Sequence, residues 1–230
     1  MNLSGKVLVV TGSDGALGQA VASTLSGYGA RLALLEHAAA PSAPQPAGAL
    51  RFGGIDLTLK DAARSAMERI VKETGRLDGL INVAGGFQYE QLAGGTVETW
   101  DSMYRINLRT AVVSCQAALP YLLQAGGGRI VNVGAVAANK AATGMGAYAA
   151  SKAGVAQLTE ALADELKDRG ITVNAVLPSI LDTPKNRRDM PKADFTRWVA
   201  PVDAAEVIAF LVSDESRAVT GALIPVVGRV

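Results

Sequence analysis

The sequence has few cysteines and histidines, and each shortage limits the chemistry we expect from it. Its one cysteine, Cys115, cannot form an intrachain disulfide, which suits a reducing compartment. Cys115 lies in an apolar, helix-like segment, so we interpret it as a core residue and not as a nucleophile. The one histidine, His37, begins a loop-like stretch. We interpret it as a surface residue and predict no metal site.

An excess of one charge and long apolar runs are also missing. Twenty-two lysine and arginine residues nearly balance 21 aspartate and glutamate residues, so charge gives no reason to expect nucleic acid or an anionic membrane as a partner. No apolar run approaches the ~20 residues that span a bilayer. The first apolar run stops at Thr11, short of a signal-peptide pattern. We therefore expect a cytoplasmic protein.

Apolar residues, by contrast, are abundant. They make up 49% of the 230 residues, enough for one large core. Short, almost continuously apolar runs alternate with longer helical patterns, which is typical of a parallel sheet covered on both faces. The pattern predicts an α/β fold, a doubly wound parallel sheet in a single domain (1–230). Strands are predicted at 6–10, 31–35, 50–55, 77–82, 128–133, 171–176 and 222–227, and helices at 15–27, 60–74, 97–124, 147–168 and 203–213.

Two long stretches show no periodicity. Residues 37–49 are rich in alanine and proline and indicate a mobile surface connection. Residues 178–200, here called the lid segment, contain three prolines and dense charge. Because a long structureless connection in a compact domain is usually functional, we predict that the lid segment covers a substrate.

A glycine-rich turn follows the first predicted strand and opens the first predicted helix. In this phosphate turn, residues 11–18 with the sequence TGSDGALG, glycines recur every third residue. Such a turn lets the backbone approach a pyrophosphate, and the helix N-terminus that follows attracts its negative charge. The turn therefore predicts a dinucleotide site. Its predicted contacts are Gly12, Asp14, Gly15, Ala16, Leu17 and Gly18.

Two acidic residues follow the next two strands. Glu36 ends the second strand, where a carboxylate accepts hydrogen bonds from ribose hydroxyls and repels a 2′-phosphate. This favours NAD(H), although Arg31 and the loop beginning at His37 leave NADP(H) open. Asp56, with Leu57 beside it, ends the third strand at the expected adenine edge. Asp56 also suits the start of the next helix, and the two interpretations are compatible.

A tyrosine and a lysine lie four residues apart in the segment YAASK, residues 148–152. At this spacing Tyr148 and Lys152 share one helix face. An ammonium close by, together with the positive charge of a nicotinamide, is expected to lower the pKa of the phenol toward neutrality. Tyr148 is therefore predicted to act as a general acid or base in hydride chemistry.

The chain resembles the short-chain dehydrogenase/reductase family along nearly its whole length. The resemblance rests on TGSDGALG, LINVAGG, YRINL, GRIVNV, YAASK and GITVNAVLP, which occur in the family's order. It implies the sheet order 3-2-1-4-5-6-7, a nicotinamide cofactor, and Asn107 beside Tyr148 and Lys152 as catalytic residues, with Lys152 also holding the nicotinamide ribose. It implies a homodimer or homotetramer through helices 97–124 and 147–168. Further implied cofactor contacts are Val83, Ala84, Gly85, Pro178 and Thr183.

One departure from the family carries most information about substrate. The position of the family's catalytic serine, thirteen residues before Tyr148, is Ala135. With the lid segment, this resembles the quinonoid dihydropteridine reductase branch. It implies an NADH-dependent reductase acting on a quinonoid dihydropterin or a similar planar acceptor, with Phe87 and Trp198 as candidate aromatic walls.

Two other interpretations stay open. Thr143, Asn139 or Ser179 would supply a substitute polar group in an ordinary carbonyl reductase or alcohol dehydrogenase. Alternatively, the chain binds NAD(H) as a sensor without catalysis, although the presence of Tyr148 and Lys152 speaks against that.

Overall fold

A seven-stranded parallel sheet forms the centre of the molecule in the computed structural model, which describes residues 1–40 and 42–230. Its strand order is β3-β2-β1-β4-β5-β6-β7, which confirms the predicted fold class and order. Five of the predicted strands differ from the observed ones by one to three residues at an end, and two agree fully. The strands are β1 (Val7–Thr11), β2 (Arg31–Leu35), β3 (Leu50–Phe52), β4 (Gly79–Asn82), β5 (Gly128–Val133), β6 (Ile171–Pro178) and β7 (Leu223–Val226).

Seven α-helices flank this sheet in the described part of the chain. The prediction of one helix over 97–124 was wrong in its middle: a π-helical turn, Tyr104–Arg109, separates two helices there. Within it the Thr110 amide donates to the carbonyl of Arg105, five residues back instead of four. The helices are α1 (Ala16–Gly27), α2 (Lys60–Thr74), α3 (Val97–Met103), α4 (Thr110–Gln124), α5 (Gly146–Leu166), α6 (Pro184–Asp189) and α7 (Pro201–Val212).

Two hydrophobic cores lie on opposite faces of the sheet. Successive side chains of a strand point to opposite faces, so Val9 packs into one core while Leu8 and Val10 pack into the other. The first core includes buried residues of α2, α4 and α5, and the second includes those of α1 and α7. All of β1 is buried, which explains why the sequence shows an apolar run there without alternation.

The sheet reverses its winding next to β1, which pairs with β2 on one side and with β4 on the other. In such sheets the crevice beyond the carboxyl ends of the strands, at the reversal, is where ligands bind. The phosphate turn, which follows β1, and the segment after β4 both lie at this crevice. The fold therefore places the predicted cofactor residues together.

Of the two stretches without periodicity, the lid segment differs from its prediction, whereas the described part of the 37–49 loop is irregular as predicted and its mobility stays a prediction. The lid segment is not structureless: it contains α6 and a 3₁₀ turn, Phe195–Arg197, and a bridge between Leu181 and Val199 closes its base. The described residues of the 37–49 loop form neither helix nor strand, yet the loop is tied to the body of the protein. The amide of Gly54 donates to the carbonyl of Ala38, and Ser42 bonds to Asp14.

No helix within residues 1–40 or 42–230 is long and apolar enough to cross a membrane.

Candidate active site

The phosphate turn depends on two glycines that no larger residue could replace. Gly12 has φ +66°, and a Cβ there would lie 2.7 Å from the backbone of Ala84. A Cβ on Gly18 would lie 2.1 Å from the carbonyl oxygen of Gly12, so the glycine allows α1 to pack against the turn. Gly15 and Ala16 are exposed, and no side chain caps the N-terminus of α1. The amides at this helix end are therefore available to a phosphate.

Glu36 lies beside this turn. One of its carboxylate oxygens, Oε1, accepts hydrogen bonds from the backbone amide of Asp14 and from the hydroxyl of Ser13. Arg31 is held far from it, because the guanidinium at the opposite end of β2 donates to the Glu73 carbonyl at the end of α2. Arg31 therefore gives no support to binding of a 2′-phosphate, which removes one argument for NADP(H).

A cavity of about 200 Å³ adjoins Glu36 and the phosphate turn. Apolar side chains of Ile55 and Leu57 form one wall, which suits the face of an adenine. Asp56 lies between them, but its carboxylate accepts from the amide and the hydroxyl of Thr58, which lowers the Asp56 pKa. Asp56 thus shapes the start of α2. Of the predicted cofactor residues, the cavity brings together Gly12, Glu36, Leu57, Ala84 and Gly85.

The segment after β4 is held against the phosphate turn by one hydroxyl. Thr11 accepts hydrogen bonds from the amides of both Val83 and Ala84, each at 3.1 Å. A Cβ on Gly85 would lie 2.6 Å from the amide oxygen of Asn107 and 3.4 Å from Nζ of Lys152. Glycine therefore lets this segment lie directly on the predicted catalytic residues.

The side chain of Asn107 is buried, and both of its polar atoms are hydrogen-bonded within the protein. Its Oδ1 accepts from the amide of Gly86 at 2.9 Å, and its Nδ2 donates to the Gly86 carbonyl and to Oγ of Ser151, each at 3.1 Å. Ser151 lies on α5 between Tyr148 and Lys152. Asn107 thus joins the segment after β4 to the helix that carries the tyrosine and the lysine, and we interpret it as a positioning residue.

Burial dominates the electrostatics of the Tyr148–Lys152 pair. Nζ of Lys152 is buried and donates to the carbonyl of Val133 at 2.7 Å. Burial lowers the pKa of Lys152 to about 8 and raises that of Tyr148 to about 12. In the protein groups by themselves, burial therefore opposes the predicted lowering of the Tyr148 pKa, because desolvation disfavours the phenolate. The prediction included the charge of a bound nicotinamide and stays a prediction. A cationic nicotinamide would act in the lowering direction.

The site has no hydroxyl at residue 135. Ala135 is buried just after β5, and a 3₁₀ turn, Val136–Ala138, follows it. Of the candidate replacements, Ser179 donates its hydroxyl to the Val227 carbonyl at 2.8 Å, so that donor is engaged elsewhere. Asn139 and Thr143 are exposed. Neither makes a described hydrogen bond that links its side chain to Tyr148.

The two predicted aromatic walls occupy different environments. Phe87 is 47% exposed and meets Tyr148 edge to face, with ring centroids 5.0 Å apart. Trp198 is buried and packs on Phe195, with centroids 4.8 Å apart. Phe87 therefore lies next to Tyr148, whereas the described ring contact of Trp198 is within the lid segment. Substrate contact by either ring stays a prediction.

The lid segment leaves the sheet at the same edge. Pro178 is the buried last residue of β6, and Thr183 caps α6 by accepting from the amide of Asn186 at 3.1 Å. Among the described residues, the hydroxyl proton of Thr183 has no acceptor and can donate to a ligand. An ion pair joins Asp182, just before α6, to Arg187 in the last turn of that helix.

The family model described as short chain dehydrogenase matches residues 6–194. The chain belongs to the short-chain dehydrogenase family. It is therefore an oxidoreductase that uses a nicotinamide cofactor, and the ends of β1, β2, β3 and β4 with the segments that follow them line the cavity described above.

Relatives of this short-chain dehydrogenase act on several kinds of compound. A 3-oxoacyl-[acyl-carrier-protein] reductase of Thermotoga maritima is 34% identical, over 99% of this chain and 98% of that protein. A D-threitol dehydrogenase of Mycolicibacterium smegmatis is 33% identical, over 96% and 90%. The structure of carveol dehydrogenase from Mycobacterium avium in complex with NAD is 28% identical and superposes with a TM-score of 0.87, covering 99% and 98%. None of these three is a dihydropteridine reductase.

The structure adds functional candidates that the sequence motifs did not single out. Thr11 and Ser151 lie inside quoted motifs, so their positions were a usable signal. Arg51 was not singled out, although both its terminal nitrogens donate to the Asp14 carboxylate. Nothing in the local sequence marks that pair, because 37 residues separate its members.

Proposed function

We propose that this short-chain dehydrogenase is an NAD(H)-preferring enzyme that interconverts a carbonyl compound and an alcohol. The observation that carries the proposal is the convergence of Tyr148 and Lys152 with the Gly12–Glu36 cleft at one edge of the sheet. The 3-oxoacyl reductase, threitol dehydrogenase and carveol dehydrogenase relatives act on compounds of this general class by their names.

The residues present fit a nicotinamide dinucleotide. The exposed amides at the start of α1 would hold its pyrophosphate, and the Ile55–Leu57 wall would hold its adenine. Oε2 of Glu36 would accept from the adenosine ribose, since the described bonds to this carboxylate use Oε1. At the other end Thr183 and Pro178 would meet the carboxamide. When bound, the cofactor supplies or accepts the hydride at the substrate carbon.

Tyr148 would move the proton. In the direction of reduction its hydroxyl donates to the substrate oxygen as the hydride reaches the carbon, and a proton from solvent restores the phenol. Its raised pKa keeps the phenol protonated at neutral pH, which suits a donor. Lys152, buried behind the segment after β4, would hold the nicotinamide ribose and supply positive charge.

A second candidate function rests on Ala135. In carbonyl reduction a hydroxyl at this position would support the charge that develops on one oxygen. A quinonoid dihydropterin delocalises that charge over ring nitrogens and a carbonyl, so the missing hydroxyl would matter less. Phe87, half-exposed beside Tyr148, would stack on such a ring.

One panel of assays separates the candidates. NADH oxidation is followed with ketones, aldehydes, 3-oxoacyl thioesters and chemically generated quinonoid dihydropterin, and NAD⁺ reduction is followed with sugars and polyols. Turnover of carbonyls or polyols without turnover of the pterin supports the first proposal and contradicts the second. Pterin turnover alone supports the second and contradicts the first. Tight NADH binding without any turnover would favour the sensor interpretation.

Placing a serine hydroxyl at residue 135 tests the carbonyl and pterin proposals against each other. If the enzyme acts on a pterin, Ala135→Ser should leave pterin turnover within about twofold and add measurable ketone reduction, because one oxyanion donor contributes about 10²–10³ in rate. If it acts on carbonyls, the same variant should raise the native rate by a large factor or leave it unchanged where another donor serves. Loss of every activity with intact NADH binding would show that residue 135 tolerates no hydroxyl and would contradict both expectations.

Assembly into a homodimer or homotetramer through α3–α4 and α5 is also proposed. Val97, Trp100 and Tyr104 are exposed on or beside α3, at 71%, 40% and 48% of their surface, which leaves an apolar area for a second copy to cover. Light scattering after gel filtration should give a mass two or four times the 23.7 kDa of the single chain. A monomer at micromolar concentration would contradict it.

A further inference from the structure

A group of polar and charged side chains surrounds the ribose end of the cleft. Asp14 leaves the phosphate turn, Glu36 follows β2 and Arg51 lies on β3. The Asp14 carboxylate accepts from both terminal nitrogens of Arg51, each at 2.9 Å, and the side chains of this pair are only 9% and 15% exposed. The guanidinium is thus bound through its fork to one carboxylate.

Further contacts fasten this pair. The amide and the hydroxyl of Ser42 both donate to Oδ2 of Asp14, each at 2.8 Å. The hydrogen bond from Arg51 and those from Ser42 hold the Asp14 pKa far below its usual range. Arg51 has a raised pKa, caused first by Asp14 and in smaller part by the charge of Glu36. The three charges therefore influence one another, and together they sum to −1.

Arg51 has the chemistry of a phosphate ligand. A guanidinium fork matches the geometry of a phosphate as well as that of a carboxylate. Among the described residues its buried Nε has no hydrogen-bond partner, so Asp14 does not exhaust its donors. A 2′-phosphate on the adenosine ribose would arrive beside Glu36 and would seek such a group.

We propose that Asp14 is a second cofactor-selectivity residue, which acts by occupying the guanidinium of Arg51 and so denies it to a 2′-phosphate. The inference rests on the proposed preference for NAD(H) and divides that preference between two residues. Glu36 rejects the 2′-phosphate by its own charge. Asp14 rejects it by neutralising the cation that would otherwise bind it.

The test compares dissociation constants for NADH and NADPH, measured by titration calorimetry. The proteins are the wild type, Asp14→Asn, Glu36→Gln, the double variant, and the double variant with Arg51→Gln added. Removing both carboxylates changes the net charge of the cluster from −1 to +1. The double variant should bind NADPH about 10- to 100-fold more tightly than Glu36→Gln does, the worth of a charge-assisted hydrogen bond. Adding Arg51→Gln should abolish that gain.

The ratio of the two affinities distinguishes selectivity from a purely structural role. If Asp14 only tied the 37–49 loop through Ser42, Asp14→Asn would weaken both cofactors alike. Equal weakening, or a gain in NADPH affinity that survives Arg51→Gln, would overturn the proposal. Raising the salt concentration should reduce the gain, since it comes from charge.

If the Asp14 variants fail to fold, Arg51→Gln by itself still tests the proposal. It leaves Asp14 bonded to Ser42 and removes a guanidinium that Asp14 already occupies, so the NADPH affinity should be no higher than that of the wild type. A higher NADPH affinity would overturn the proposal. A wild type that prefers NADPH overturns it while leaving the oxidoreductase function intact. A wild type that binds neither cofactor overturns the proposed function as well.

Discussion

Replacing Asn107 by alanine tests whether the segment after β4 is positioned by that side chain. The substitution removes three hydrogen bonds of 2.9–3.1 Å, two to the backbone of Gly86 and one to Ser151. Asn107 is 1% exposed, so water replaces these bonds poorly. The Gly86 amide and carbonyl would then lack partners in a partly buried place.

The size of the effect follows from those lost partners. A buried polar group left without a partner costs about 1–3 kcal/mol. Two backbone groups and a weakened contact to Ser151 give a loss of about 3 kcal/mol in unfolding free energy. For a chain of this size each kcal/mol lowers the melting temperature by about 2–4 °C, so a fall of about 6–12 °C is expected.

Urea unfolding monitored by tryptophan fluorescence measures the loss, and kinetics on the same samples measure its functional effect. We expect kcat to fall more than NADH affinity, because Gly85 lies between Asn107 and Lys152. Ser151→Ala is the comparison variant: it removes the hydrogen bond from Asn107 and the one that the Ser151 hydroxyl donates to the Tyr148 carbonyl, and it leaves both Gly86 bonds in place. It should cost about 1–2 kcal/mol.

Two results would refute this reasoning. A loss in Asn107→Ala that is no larger than that in Ser151→Ala would show that the two Gly86 bonds contribute no more than the Ser151–Tyr148 bond, and so would contradict the expected excess. Full stability with lost activity would make Asn107 a group that touches the substrate or cofactor, and not a positioning residue.

Three further predictions follow from the site. Tyr148→Phe should lower turnover by about 10²-fold or more and leave NADH affinity nearly unchanged, as measured by steady-state kinetics and calorimetry. Gly18→Ala should cost about 1–3 kcal/mol through overpacking and weaken NADH binding, whereas Gly27→Ala, with open space around its Cβ, should do neither. The lowered pKa of Lys152 means that the unfolded chain binds this proton more tightly. Stability should therefore rise above about pH 8, and Lys152→Met should flatten that rise in urea titrations read below pH 9, where the buried Cys115 thiol, whose pKa is raised, begins to act in the opposite sense.

Each of these has a clear contrary result. Unchanged turnover in Tyr148→Phe would remove the phenol from the reaction. Equal effects of the two glycine substitutions would mean that contact between α1 and the turn is unimportant. An identical pH slope in Lys152→Met would show that Lys152 does not titrate in that range. Tyr148 acts in the same opposing sense as Cys115 above pH 10, which lies outside the range in which the slope is read.

Much of the fold could be predicted because its signals are local. Both β2 and β5 agree fully with the apolar runs that predicted them, and α2 begins and ends where its helical pattern does. The interruption of the predicted 97–124 helix could not be read this way. It lies at Asn107, whose side chain bonds to Gly86, 21 residues earlier in the chain.

The site likewise has some features that the sequence predicts and others that depend on the tertiary structure. The glycines of the phosphate turn are recognisable by spacing, because Gly15 and Gly18 both meet the backbone of Gly12, although Gly12 itself meets Ala84 in the distant segment after β4. The sequence could not show that burial raises the Tyr148 pKa, since that effect depends on how much protein surrounds the phenol. Spacing along a helix places Lys152 near Tyr148, but it does not show that the ammonium donates to Val133.

Sequence alone was therefore sufficient for the fold class, the strand order implied by the family, the phosphate turn and the Tyr148–Lys152 pair. The strand order came from the resemblance to the family, and the others depend on periodicity and on spacings of a few residues. Only the tertiary structure decided which polar groups bond to one another: Asp14 forms an ion pair with Arg51, and Asn107 is hydrogen-bonded to Gly86 and Ser151. Such pairs depend on the parallel sheet, which brings the ends of distant strands to one edge, and no local pattern records that meeting.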